Sequence, residues 1–459
     1  MNIWKTKTPA QIVDAAEHTP LKKNLSAFDL AALGIGSVVG AGIFAATGEG
    51  ALKAGPGIIV AFVITAITCG FCALTYSELA CMFPVAGSTY SYSYVAFGEV
   101  IAWIIGWDLM LEYLVSASAV ASAWSGTFRG VLITAGITPP DSLMRTPFNG
   151  GIIDLPAVVL TLGITWILYI GIRESAKINN IIVAVKIIVI LLFIFLGASH
   201  VDLANFRPLA PFGFGGIMAG AAIIFFSFIG FDAVSTAAEE TRNPQRDVPR
   251  GLMICLGVVI VLYVAVAFVL TGIVPFREIS VDNALPGALS RIGIRWGSVL
   301  VAIGGIVGMV STLLVTLYGQ IRIFMVMARD GLLPPAFAKV HPKHRTPHLC
   351  TWITGIATAL IAGFFPLDKI IMMCNIGTLF AFVLVSIGVI VLRKTQPQLE
   401  RKFKTPWVPF TPLVTIGLCF WLMYRLGGIT WVRFGIWLLA GLLIYFVYSA
   451  RHSKLQKAA

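Results

Sequence analysis

GIGSVVGAGIFAATGEG, residues 34–50, decides how this chain is to be read. Six glycines interrupt a run that is otherwise apolar enough to cross a bilayer. A second interruption, SFIGFD at 227–232, lies within the equally apolar run 216–238. Each interior glycine weakens a helix by about 1 kcal/mol relative to alanine. At membrane depth, an unpaired backbone group costs several kcal/mol. A break there is tolerated where the freed N–H and C=O groups line a polar cavity or bind something. Paired broken helices in corresponding halves of a polytopic chain point to the substrate site of a secondary transporter.

Composition fits that reading. The 459 residues are 58% hydrophobic and 12% charged, with a mean hydropathy of +0.90, whereas soluble domains run at about 45–50% apolar and roughly 25% charged. Runs long enough to span, about 20 residues each, fall near 29–52, 58–82, 100–134, 153–172, 177–198, 215–240, 252–274, 297–327, 349–365, 370–393, 408–425 and 433–450. The spacing thus predicts an all-α membrane protein with twelve transmembrane helices. Residues 1–27 are polar and carry no signal-peptide pattern. Ile3, Trp4, Ile12 and Val13 suit a short interfacial helix. With both termini placed in the cytoplasm, the inner loops hold about twice as many Lys and Arg as the outer loops, as the positive-inside rule requires. The net charge of +12 therefore reports topology, and no soluble domain is present to bind nucleic acid.

The seven cysteines lie in or beside apolar runs, so neither a disulfide framework nor a redox role for Cys69 and Cys72 is expected. His341, His344 and His348 are interrupted by prolines and lack an accompanying carboxylate, so no metal site is expected. No phosphate-binding loop or nucleophile elbow is present. Neither an enzyme nor an ATP-driven pump is indicated, and no cofactor is implied. A channel would show a repeated polar filter or charged ring, and a receptor would show a large soluble domain.

Two charges inside spans stand out. Lys186, in AKINNIIVAVKIIVILLFIF (176–195), lies about ten residues into its span and so near the bilayer centre, where an ionisable group is functional by default. It is either a proton-binding group or a permanently charged one bonded to helix-break carbonyls. Glu112 follows Asp108 by one turn on the same helix face. It faces the substrate path, or couples to Lys186 through water, or else pairs within the bundle. Glu239, Glu240, Arg242 and Arg246 form a gate with Arg329 and Asp330, or else a solvated cluster.

Several strings together resemble the amino acid–polyamine–organocation (APC) superfamily, and within it a bacterial member of the cationic amino acid transporter (CAT) family. They are GSVVGAGIF (36–44), ALTYSELACMFPVAGSTYSYSYVAFGE (73–99), GIRESAKINN (171–180), FFSFIGFDAVSTAAEETRNPQRDVPRG (225–251), MARDGLLPPAFAKVHPKHRTP (327–347) and NIGTLFAFVLVSIGVIVLR (375–393). The resemblance implies the leucine-transporter-type fold. Spans one to five (28–198) and six to ten (215–393) would form an inverted 5+5 repeat, with helices 1 and 6 broken. Residues 1–27 would be a cytoplasmic segment, and 394–459 a linker, two further helices and a cytoplasmic tail. It also implies sodium-independent alternating access in the plasma membrane.

By the same similarity, the N–H groups of Ala41 and Gly42 hold the substrate α-carboxylate, and Gly40 permits close approach. The carbonyls of Val38, Phe226 and Ile229 take the α-ammonium, and Phe226 is the gate, although Phe225 and Phe228 flank it. In sodium-independent relatives a lysine in span five bridges to span one, the position of Lys186. The expected partners are an L-amino acid, protons and the lipid bilayer. The breaks offer Ser37, Ser227 and Asp232 as polar side chains, with Asp232 expected to point away from the pocket. Small neutral amino acids are therefore favoured over arginine or lysine.

Overall fold

The first helix starts at a reciprocal cap. The Ser26 hydroxyl accepts the Asp29 N–H, and the Asp29 carboxylate accepts the Ser26 N–H at 2.9 Å. The computed structural model describes residues 3–8, 24–85, 87–171, 176–281, 283–344 and 346–457. Helix α1 (Ala27–Val38) ends where Val39 turns extended, at φ −76° and ψ 94°. One wide turn, Gly42–Ala46, then leads into α2 (Thr47–Ala54). The apolar run 29–52 is thus two half-helices around a break at residues 39–40.

The chain continues through α3 (Ile58–Met82), the short α4 (Ser88–Ala96), α5 (Glu99–Thr134), α6 (Leu155–Ile170) and α7 (Ala176–Ala198). The second interruption separates α8 (Gly213–Ile224) from α9 (Ala233–Thr236) by a tight turn, Phe225–Phe228. Then follow α10 (Pro244–Ile273), α11 (Ala284–Arg291), α12 (Arg295–Arg329), α13 (His348–Phe364), α14 (Leu367–Thr395), α15 (Phe410–Arg425) and α16 (Gly428–Ile444). Among the described residues there is no strand, only isolated bridges such as that between Leu25 and Thr241. That bridge, with Arg242 N–H donating to the Leu25 carbonyl at 3.0 Å, ties the start of α1 to the end of the α9 segment.

Eight helical stretches among the described residues are long and apolar enough to cross a membrane. Four shorter apolar helices (α1, α6, α13 and α15) accompany them. The side chains that face outward carry the same message. Ile181, Ile188, Leu191 and Phe195 form an exposed stripe on α7, and Val432, Ile436, Leu439 and Leu443 form another on α16. Helical spacing of exposed apolar residues on this scale requires hydrocarbon as the solvent. The protein is a multi-pass membrane protein.

Helix α5 is the central post, packed against α12 on one side and α14 on the other. Helix α10 lies along α1 and α3, and α7 bridges α1 and α12. At one end of the bundle the buried Glu78 binds three groups from remote segments. Arg393 grips it at 2.9 and 2.7 Å, Arg401 Nε lies 3.3 Å away, and Thr405 N–H donates at 2.7 Å. A buried carboxylate is stable when its lone pairs are filled in this way, and the cluster fixes the end of α3 to the end of α14.

Candidate functional site

Both breaks leave backbone groups without helical partners. In the restarted first span, the first backbone bond is Phe44 N–H to Gly40 C=O at 3.4 Å, and the N–H groups of Ala41, Gly42 and Ile43 make none. Orphan donors and the positive end of the helix dipole coincide there, which suits an anion such as a carboxylate. In the other break, Ile229 has ψ 138° and Gly230 has φ +107°, a conformation open to glycine. Ile229 N–H donates to Phe226 C=O at 3.3 Å, and the Ile229 carbonyl receives no backbone donor.

The two breaks press on each other. A Cβ on Gly42 would lie 2.9 Å from both Cβ and Oγ of Ser227, and closer still to its Cα. A Cβ on Gly230 would lie 2.6 Å from Ser37 Oγ. Gly42 is therefore required first by helix contact.

A cavity of about 1160 Å³ opens from the breaks. Val38, Gly40, Ala41, Gly42, Phe226 and Ile229 all line it, so the structure brings the expected substrate residues together. Phe226 faces the cavity, whereas Phe225 and Phe228 are buried in the packing and do not line it. Glu112, Tyr113 and Ser116 of α5 and Thr312 and Thr316 of α12 supply polar lining. Asp232 lines the cavity too, which corrects the expectation that it points away. The tight turn rotates the start of α9 inward, and no local sequence pattern sets that rotation.

Lys186 is 1% exposed. Its Nζ donates to the Gly36 carbonyl at 2.6 Å and to Thr312 Oγ1 at 2.9 Å. The ammonium thus joins α7 to the last turn of α1 before the break and to α12. Gly308 makes room for the lysine chain, since a Cβ there would meet its Cε at 3.1 Å.

Three polar contacts at the breaks were not anticipated. Tyr263 OH donates to the Val38 carbonyl at 3.0 Å, occupying one lone pair of an expected ammonium acceptor. Asn375 Nδ2 donates to the carbonyls of Ala222 at 2.7 Å and Ile223 at 3.2 Å, ahead of the tight turn. Thr65 Oγ1 reaches the Ala221 carbonyl at 3.3 Å. A lone Asn within an apolar span was the available signal, because a buried amide needs a partner.

The cavity runs to the end of the bundle where Lys7 and Asp330 lie. Lys7 Nζ bonds both Asp330 oxygens at 2.8 Å, Tyr90 OH donates to the same carboxylate at 2.7 Å, and Lys7 sits 4.5 Å over the Tyr94 ring. The expected gate therefore has different partners. Arg322 approaches Glu240 at 3.8 Å, Arg242 bonds the Asn24 carbonyl, and Arg246 bonds its neighbour Asp247. Ile3 and Trp4 lie in a turn against Gly98 rather than in an interfacial helix, and Ile12 and Val13 fall outside the described residues. His341, His344 and His348 cluster with ring centroids 4.9–5.6 Å apart. Among the described residues no His, Cys, Asp or Glu group has the arrangement of a metal site.

Bilayer-spanning helices and two opposed breaks that open on a shared cavity with a few polar side chains define a membrane permease. Residues 25–448 match the amino acid permease family. The chain is 47% identical to the branched-chain amino acid permease BcaP of Bacillus subtilis, with 99% of each chain covered. It is 45% identical to the methylthioribose transporter of the same organism, covering 98% of this chain and 99% of that one. It is 38% identical to the chloroplastic cationic amino acid transporter 9 of Arabidopsis thaliana, covering 84% and 69%. The chain belongs to the amino acid permease family of the APC superfamily.

Proposed function

We propose that this protein is a sodium-independent, proton-coupled importer of neutral L-amino acids, small ones preferred, working by alternating access. Twelve spans form two inverted five-helix repeats with an appended pair, and both termini lie in the cytoplasm beneath the plasma membrane. One observation carries the reading: unbonded N–H groups of Ala41 and Gly42 share a cavity with the unfilled Ile229 carbonyl. Donors for a carboxylate and an acceptor for an ammonium recognise the backbone of an amino acid and leave its side chain to the walls. Apolar Phe226 and Ile229 and small Ala41 favour a compact uncharged side chain. The likeness to a branched-chain amino acid permease keeps larger aliphatic amino acids within the class.

Lys186 supports sodium independence, since its ammonium fills a cation position between the first break and α12, and proton coupling follows if that ammonium gives up its proton during the cycle. With the cavity reaching the Lys7–Asp330 end, the conformation is inward-facing. A second reading, transport of arginine or lysine, is favoured by Glu112 and Asp232 on the cavity wall. Competition decides between them. Unlabelled serine is expected to inhibit labelled alanine uptake more strongly than equimolar arginine, and the reverse order establishes the cationic reading.

A further inference from the structure

Asp108 lies in the first third of α5, fully buried, and neither carboxylate oxygen has a hydrogen-bond partner. It packs against α14 at Gly377, where a Cβ would lie 2.8 Å from Asp108 Oδ1. The titratable groups that face it are Glu112, one turn further along the same helix, and Cys374 of α14. Asp232 acts on Glu112 from the second break. No lysine, arginine or histidine among the described residues acts on Asp108. A buried ionised carboxylate with neither a donor nor a cation beside it is not stable inside the bundle, whereas a carboxylic acid is. Glu112, by contrast, lines the cavity.

We propose that Asp108 is a second proton-binding residue of the transport cycle, filled in the conformation seen here and exchanging its proton with the cavity through Glu112. The proposal rests on the proton-coupled reading above. On discharge, Asp108 gives H⁺ to the Glu112 carboxylate, and Glu112 passes H⁺ to cavity water. Recharging reverses both transfers, and no other bond changes. The discharged form needs a donor or cation that this packing withholds, so proton release is tied to movement of α5 against α14. A carboxyl pair of this kind titrates as a unit.

The test uses purified protein in proteoliposomes together with infrared spectroscopy. Wild type is expected to show the carbonyl-stretch band of a protonated carboxylic acid, shifting in D₂O. Asp108→Asn is expected to lose that band and to lose pH-gradient-driven accumulation, falling to simple equilibration while counterflow persists. Glu112→Gln is expected to keep the band but slow its shift in D₂O. If Asp108→Asn does not fold, Asp108→Glu is expected to move the band. An unchanged spectrum in the Asp108 variants overturns the proposal, as does wild-type accumulation by Asp108→Asn. Failure of the underlying reading is distinguishable, because wild type itself then ignores the pH gradient.

Discussion

Gly42→Ala adds one methyl group at the crossing of the two breaks. That carbon falls 2.9 Å from Cβ and Oγ of Ser227, whereas carbon contacts settle at about 3.5–4.0 Å. The breaks must therefore part by more than about 0.6–1.1 Å, because Ser227 Cα lies closer still and backbone on both sides cannot rotate away. Overpacking of this kind costs about 1–3 kcal/mol. The same displacement stretches a substrate hydrogen bond from about 2.9 Å beyond the range in which it counts as one. Both stability and transport are expected to fall, whereas the sequence alone suggests loss of binding in an otherwise intact fold. Gly70→Ala is the control: it lies within α3 with nothing within 4 Å of the added carbon, and is expected to be neutral or to stabilise by up to about 1 kcal/mol. Thermal unfolding in detergent and counterflow in proteoliposomes measure both variants. Wild-type melting and counterflow in Gly42→Ala would refute the contact between the breaks.

Lys186→Ala is expected to abolish accumulation driven by a pH gradient while exchange continues; accumulation with the wild-type pH dependence contradicts this. Tyr263→Phe removes the donor to Val38 and is expected to cost about 0.5–1.5 kcal/mol in stability, read by denaturation against wild type, with no change contradicting the bond. His341 is held below the ordinary imidazole value of 6.5 by partial desolvation and by His344, His348 and Lys343. Its contribution to the loop is thus complete above that value and lost as pH falls through the lower folded one. The protection of the Lys343 and His344 amides against hydrogen exchange, relative to their intrinsic rates, is expected to fall on acidification, since they donate to His341 Nδ1 at 3.2 and 3.3 Å. His341→Asn, whose amide oxygen does not titrate, is expected to flatten that response, and an unchanged pH dependence contradicts the assignment.

The breaks were legible because glycine clusters inside apolar runs are local signals, and the breaks at 39–40 and 229–230 fall within the quoted strings. Lys186 was legible as a lone charge in a span, and bonding to helix-break carbonyls was one of the two roles the sequence offered for it. Its second partner, Thr312, comes from a helix more than a hundred residues away. The inward turn of Asp232 and the Lys7–Asp330 pair depend on helix rotation and on a long return of the chain. Both are set by packing between remote elements, which periodicity does not encode. Tyr263 and Asn375 stood in view as isolated polar residues in apolar spans, yet which carbonyl each would reach depended on where the breaks came to lie.

Uptake by the purified wild-type protein tests the central claim most directly. In sodium-free proteoliposomes with an acidic exterior, labelled alanine is expected to accumulate above equilibrium, to saturate, and to collapse with a protonophore. Uptake that stops at equilibrium under the gradient, or that requires sodium, contradicts it.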